Sequence, residues 1–434
     1  MASKQEVINN EHLLHEILVR LPAKPLQKFK LVSKQWLSLI SNPKFCLTHS
    51  RFQKRSVKPQ ALLLDVLYPK LPSDFKFVTL NPDTDHYQLP NFDFIDAPNV
   101  RIVQSCSGLL LCSTTTTMDG RDPDPNLRYF ICNPVNKEFK HIALPQRQRI
   151  YHAYQDVDPD IGVDPSRQAT FRDLDQWANL NLSFEPLVKA TIEIGVNLAF
   201  DPLKSPHYKI LTVWANLLIG KNPQSNICFA FPRYSIDIYS SETESWSLGK
   251  VTIASDHAIR FERAVYLNGA LHWDCAASSE ETMYIDIISE SVKQMPMPKE
   301  PNSKFRYFGE SGGHLHFVAA TGHSFLNFRV FELKADYSSW LLKYDVDLDV
   351  EPFAVIPTDR PNFIITSYLM SCAVQSEEGN GDSLVLVILG NKAISYHLVD
   401  RTVQELPCSN RDNFFYRAGN RFYPSPYFET LYYI

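Results

Sequence analysis

One pattern returns repeatedly after residue 60: a glycine-containing turn between two apolar runs, then a run ending in a polar turn, then a run closing on an aromatic residue or on Leu-Pro. Ser107-Gly108 precedes YFICNPVNKEFKHIALP, Asn268-Gly269 precedes YIDIISESVKQMPMP, and Gly312-Gly313 precedes FRVFELKADYSSWLLKY. Gly390-Asn391 sits inside VILGNKAISYHLVDRTVQELP, while AFDPLKSPHYKILTV and IDIYSSETESWSLGKV carry related turn-and-strand pairs. The runs are short, rich in β-branched and aromatic residues, and bounded by Gly, Pro, Asn, Asp or Ser, which is the chemistry of strands.

A period of about 40 to 50 residues with several strands per unit is the pattern of propeller blades, and about six units can be counted. With 44% hydrophobic and 12% aromatic residues, the 434-residue chain has ample material for a large core. Trp246, Trp273 and Trp340 stand at repeated strand ends and are expected to close blade cores. The polar stretch from Gln148 to Asn181 fits no unit and reads as a long rim loop. Within it, Tyr154 and Trp177 are the candidate target contacts, because exposed aromatics in a loop suit protein binding.

The first 60 residues follow a different period. Leu14, Ile17, Leu18 and Leu21 fall at i, i+3, i+4, i+7, and Val32, Trp36, Leu39 and Ile40 form a second stripe. Asn10 can cap the first helix, Leu21-Pro22 stops it, Ser33 can cap the helix bearing Trp36, and Asn42-Pro43 starts a short fourth turn through Phe45. A segment below roughly 40 residues rarely buries enough surface to be stable alone, so two apolar stripes imply a docked partner.

Charge separates the same two parts. Residues 1–58 hold eleven basic and three acidic side chains, a net of +8, and the total of −5 leaves −13 for the remainder. Lysines interleaved with apolar stripes suit an acidic protein partner, and an acidic body repels phosphate, so nucleic acid is not expected as a ligand. The cluster from Arg51 to Lys58 reads as a solvated linker.

Chemistry is sparse. Eight cysteines are scattered through apolar segments without a C-x-x-C pair, and are expected to be reduced core residues. His314-Leu-His316 places two imidazoles on one strand face, but the sequence offers no evident third and fourth ligand, so no metal or other cofactor is expected. Asp156, Asp158, Asp160 and Asp164 lack the glycine and terminal glutamate of a calcium loop, and P-loop, G-x-G-x-x-G and G-x-S-x-G runs are absent. No catalytic residues are expected. No apolar run of about 18 residues is present to span a bilayer, and Met1 to Asn10 is polar, which favours a cytoplasmic or nuclear protein.

From Leu13-Leu14 and Glu16-Ile17-Leu18 through Arg20-Leu21-Pro22, Leu26, Phe29, Val32, Lys34 and Trp36 to Leu39-Ile40 and Pro43-Lys44-Phe45, the segment resembles an F-box. Two departures stand out: Asn9, Asn10 and His12 replace the usual Leu-Pro-acidic opening, and Ser33 replaces the usual cysteine. The body resembles the F-box-associated, kelch-like domains of plant F-box proteins in SCSGLLLC followed by ICNPVNKE, in AFDP followed by YKIL, and in DIYSSETESW, VYLNGALHW and YFETLYY.

The resemblance implies an all-α F-box at 1–50, a basic linker at 51–60, and an all-β, kelch-like propeller at 61–434 with a loop insert at 148–181. It implies an adaptor-binding face of Leu13, Leu14, Ile17, Leu18, Leu21, Pro22, Leu26, Phe29, Val32, Trp36 and Ile40. The implied function is that of a non-catalytic receptor: the F-box docks on the Skp-type adaptor of an SCF (cullin-RING) ubiquitin ligase, and the propeller holds a target protein. The alternatives are an F-box scaffold outside ubiquitination and a glycan-binding or hydrolytic propeller.

Overall fold

The computed structural model describes residues 10–56, 59–66, 76–80, 92–97, 100–114, 127–145, 185–221, 228–254, 259–275, 279–300, 305–321, 327–348, 369–377, 381–388, 392–408 and 422–434. Four helices come first: α1 Glu11–Leu18, α2 Ala23–Phe29, α3 Lys34–Ile40 and α4 Pro43–Ser56. Asn10 caps α1 by accepting from the backbone N–H of His12 and Leu13, and Ser33 caps α3 by accepting from Trp36 N–H at 3.2 Å.

Helix α4 corrects the sequence reading at two points. It is 14 residues long, not one turn ending at Phe45, and it runs through the first part of the expected 51–60 linker. Its stripe is Phe45, His49 and Phe52, in which a histidine hides the apolar period. His49 is buried, and its Nε2 lies 2.8 Å from the Leu21 carbonyl, so burial holds its pKa below the ordinary imidazole value.

Six sheets follow among the described residues. Blade I holds β3 Val100–Cys106, β4 Leu109–Thr114, β5 Tyr129–Asn133 and β6 Glu138–Ile142. Blade II holds β7 Glu185–Ala199, β8 Lys209–Lys221, β9 Cys228–Ser240 and β10 Ser245–Ala254. Blade III holds β11 Ile259–Leu267, β12 Ala270–Cys275, β13 Glu281–Asp286 and β14 Ser291–Pro296. Blade IV holds β15 Phe305–Ser311, β16 His314–Thr321, β17 Asn327–Leu333 and β18 Trp340–Asp347. Blade V holds β19 Leu369–Glu377, β20 Gly381–Ile388, β21 Lys392–His397 and β22 Val403–Leu406.

Blade VI closes the ring with strands from both ends of the chain. Its order is β2 Lys76–Thr79, β1 Ala61–Val66 and β23 Phe422–Tyr427, with Leu63 opposite both Phe77 and Ser425. The first strands of blades I to V and β23 neighbour one another in turn around the axis. The fold is a six-bladed β-propeller.

Its repeats have a local cause. Ser107-Gly108 and Asn268-Gly269 join the first two strands of blades I and III with positive φ at both turn residues, 47° and 91° in one, 53° and 90° in the other. Such turns match the twist of the strands they join. The second strands β4 and β12 are buried at every position, because blades stack on both of their faces. At the inner edge, Gln104 in β3 donates to the carbonyls of Leu198 and Ala264 and accepts from Leu198 N–H, cross-linking blades I, II and III. These amides satisfy backbone groups that no water reaches.

The tryptophans divide. Trp273 is wholly buried and packs edge-on to Phe261, as expected. Trp246 and Trp340 are only half-buried. Each starts or nearly starts the fourth strand of its blade and reaches the end of the fourth strand of the preceding one: Trp246 Nε1 donates to Ala143 O at 2.9 Å, and Trp340 Nε1 to Pro296 O at 2.7 Å. They are ties between blades, a role that a polar handle on a large apolar ring allows.

Candidate docking face

The helices share a core with the propeller. Leu14, Leu18, Leu26, Leu39, Ile40, Phe45 and Cys46 form one apolar cluster with Leu109 and Ile131 of blade I, Val196 and Ile210 of blade II, and Leu431 and Tyr432 at the C-terminus. Each fully buried aliphatic side chain here contributes about 1.5–3 kcal/mol.

The C-terminal segment is the mortar. Asn133, with no exposed surface, donates to the carbonyls of Thr430 and Tyr432 at 3.0 and 2.7 Å and accepts from Val135 N–H. Asn136 donates to Leu431 O and Tyr432 O, and Gln27 of α2 donates to Asn136. Tyr432 packs edge-on to Phe200 and donates to Pro202 O, while the Cys46 thiol lies 3.8 Å from Leu431 O. Gly108 lies under this segment: a Cβ there would stand 2.7 Å from Thr430 Cβ. The blocks SCSG and ICNPVNKE thus form a cradle for the end of the chain.

This packing divides the expected adaptor face. Leu14, Leu18, Leu26 and Ile40 are at most 3% exposed and turn inward, into the core shared with the propeller. Leu21, Phe29 and Trp36 are half-buried, with Phe29 and Trp36 edge-to-face at 5.6 Å, and Pro22 is exposed. Leu13, Ile17 and Val32 are 43%, 49% and 59% exposed. Two more outward leucines were not singled out by the stripes: Leu31 at 88% and Leu37 at 48%. Leu13 and Ile17 are one turn apart on α1, and one residue is a rotation of about 100°, so each helix presents a different apolar edge to each side. The stripes are wider than one interface needs, and that width is the signal that two surfaces are involved.

Around the outward leucines, Arg20, Lys24, Lys28, Lys34 and Lys44 are exposed, and Arg20 pairs with Glu16 at 3.9 Å. Elsewhere, burial keeps the Cys46 and Cys106 thiols protonated, pushed up to about 11 and about 12, so neither is a thiolate at neutral pH. Tyr154 and Trp177, the candidate target contacts, lie outside the described residues, as does the insert 148–181. No helix among the described residues is long and apolar enough to cross a membrane.

Fold and face together define a small helical module, with an outward apolar face, built onto a six-bladed β-propeller. A family model described as the F-box domain matches residues 10–48, and one described as the β-propeller of F-box protein At3g26010-like proteins matches residues 217–369. The F-box protein At5g07610 of Arabidopsis thaliana is 28% identical over 425 residues, spanning 92% of this chain and 86% of its own length. The F-box protein At5g10340 of the same plant is 24% identical over 80% of this chain and 70% of its own, and the F-box protein At5g49610 is 29% identical over 36% and 38%. The chain carries an F-box domain followed by an F-box-protein β-propeller, and its homologues are plant F-box proteins.

Proposed function

We propose that this protein is the substrate-receptor subunit of an SCF-type ubiquitin ligase: the F-box binds a Skp-type adaptor, the propeller holds a target protein, and the chain itself forms no bond. The observation that carries this reading is the outward row of Leu13, Ile17, Leu31, Val32 and Leu37 on a module whose opposite side is sealed to the propeller. Exposed apolar side chains grouped on one small module mark a protein-binding surface. The surrounding lysines and arginine favour an acidic partner and speed its encounter.

The packed seam matters to the mechanism. A receptor works by proximity, holding target lysines at high effective concentration near the charged ubiquitin-conjugating enzyme, and a fixed module-to-propeller orientation keeps that concentration high. The site of action that fits is the cytoplasm or nucleus.

The test is co-purification of the full chain with a Skp-type adaptor. Ile17→Asp and Val32→Asp should each weaken the complex at least about a hundredfold, since each places a charge in an apolar contact. Undiminished binding in both variants overturns the reading. Cullin should be recovered in the same complex from cells; an adaptor complex that never contains cullin would instead identify a scaffold acting outside ubiquitination.

A further inference from the structure

His316, Glu332 and Asp382 meet at the seam between blades IV and V. His316 on β16 stands directly opposite Glu332 on β17, and Asp382 is the second residue of β20 in the next blade. One ligand atom from each lies within 4.8 Å of the other two. His316 Nε2 is 3.3 Å from Glu332 Oε2, yet the imidazole, with no exposed surface, makes no hydrogen bond through either ring nitrogen. His314, two residues along the same strand face, places Nδ1 3.7 Å from Glu332 Oε1.

A wholly buried imidazole without a hydrogen bond is rare, and one aimed at a carboxylate pair has the chemistry of a metal ligand. The spot already holds positive charge. Lys343, from β18, pairs with Glu332 and lies 2.9 Å from Asp382 Oδ2. Its side chain is a third exposed, so it can swing into solvent without breaking the core.

We propose that this seam is a binding site for a first-row divalent cation, zinc in particular, with His316 Nε2, Glu332 and Asp382 as ligands, His314 as the flanking fourth donor, and Lys343 as the cation displaced on binding. One imidazole and two carboxylates from two blades suit zinc, whose bonds to nitrogen and oxygen of about 2.0–2.2 Å require the donors to close in by roughly an ångström. Exchange of an ammonium for a dication leaves the two carboxylates better neutralised and gives the orphaned imidazole a partner. The consequence is a metal-dependent clasp between adjacent blades.

The experiment uses the full chain stripped with chelator and titrated with Co²⁺, whose visible absorption reports a low-coordinate nitrogen and oxygen site, followed by Zn²⁺ displacement. One Co²⁺ per chain should bind, and the signal should be lost in both His316→Gln and Asp382→Asn. Lys343→Leu, on a partly exposed side chain, should fold normally and bind about tenfold more tightly, because the competing ammonium is gone. Absence of Co²⁺ binding in both the parent and Lys343→Leu overturns the proposal, as does a signal unchanged in His316→Gln. Binding by Lys343→Leu alone overturns it for the natural chain and leaves Lys343 as the permanent cation of the seam.

Discussion

Lys30 and Tyr433 join the two ends of the chain: the ammonium donates to the phenol oxygen at 2.7 Å and stands 4.8 Å from the ring centre. Lys30 is the C-cap of α2, and Tyr433 is the penultimate residue. Together with the Gln27–Asn136 contact, the pair rims the apolar seam formed by Leu26, Leu431 and Tyr432. The F-box is thereby seated on the propeller by the last residues of the sequence.

Asn133→Ala should loosen that seat. It leaves the Thr430 carbonyl and the Val135 N–H without their amide partner, and Tyr432 O with one amide donor in place of two. The expected loss is about 2–4 kcal/mol in urea unfolding. A variant as stable as the parent would show that this amide does not hold the segment.

Leu18→Asp and Ile17→Asp, neighbours in sequence, should part company. Leu18 is 1% exposed and Ile17 49%. A carboxylate at 18 enters the shared core and should cost about 4–5 kcal/mol or more, while at 17 it meets water and should change stability by less than about 0.5 kcal/mol. Thermal melts of the two variants without adaptor decide it; equal melting points would contradict the inward turn of Leu18.

Stability should fall in acid, with His272 as one identifiable cause. Its Nδ1 lies 3.1 Å from Val265 O and must carry the proton, its Nε2 accepts from Tyr337 O–H at 2.8 Å, and its ring lies against both Tyr284 and Tyr337, which also touch each other. Burial pushes its pKa down to about 4 from the ordinary 6.5. The unfolded chain therefore takes up a proton below pH 6.5 that the folded chain refuses until about pH 4. The stabilisation is complete above pH 6.5 and lost as pH falls through that window, by about 3 kcal/mol at most. His272→Gln should flatten this part of the stability–pH curve; an unchanged slope would remove His272 as its source.

Trp340→Phe and Trp246→Phe should each cost about 1 kcal/mol, the worth of the lost bond to Pro296 O or Ala143 O, and the double variant should cost their sum because the two ties join different blades. Additivity is read directly from denaturant midpoints at constant m. A single cost near zero would make that indole bond incidental.

Several of these features were legible in the residues. Gly108 and Gly269 announce their turns because only such sequences take positive φ twice in succession, and Asn10 and Ser33 announce caps because their oxygens suit free N–H groups. The split of the α1 stripe was not legible: Leu14 and Ile17 lie on one amphipathic arc, and which of them faces the propeller depends on Leu431 and Tyr432, some 400 residues away. Periodicity reports that a side chain avoids water, not whose surface it meets. His49 concealed the length of α4 for a related reason, since its apolar ring counts as polar in any pattern. His314 and His316 were visible as a pair, but Glu332 and Asp382 reach them only through strand pairing and blade stacking.

The mixed parentage of blade VI orders events in time. Its outer strands are made before the other five blades and its inner strand after them, so the circle stays open until all five have been made. The helices are made before the propeller strands, yet their bed includes Leu431 and Tyr432, made after all of those strands. The helical module therefore waits, apolar on both sides, through the synthesis of all the intervening strands before its bed is complete.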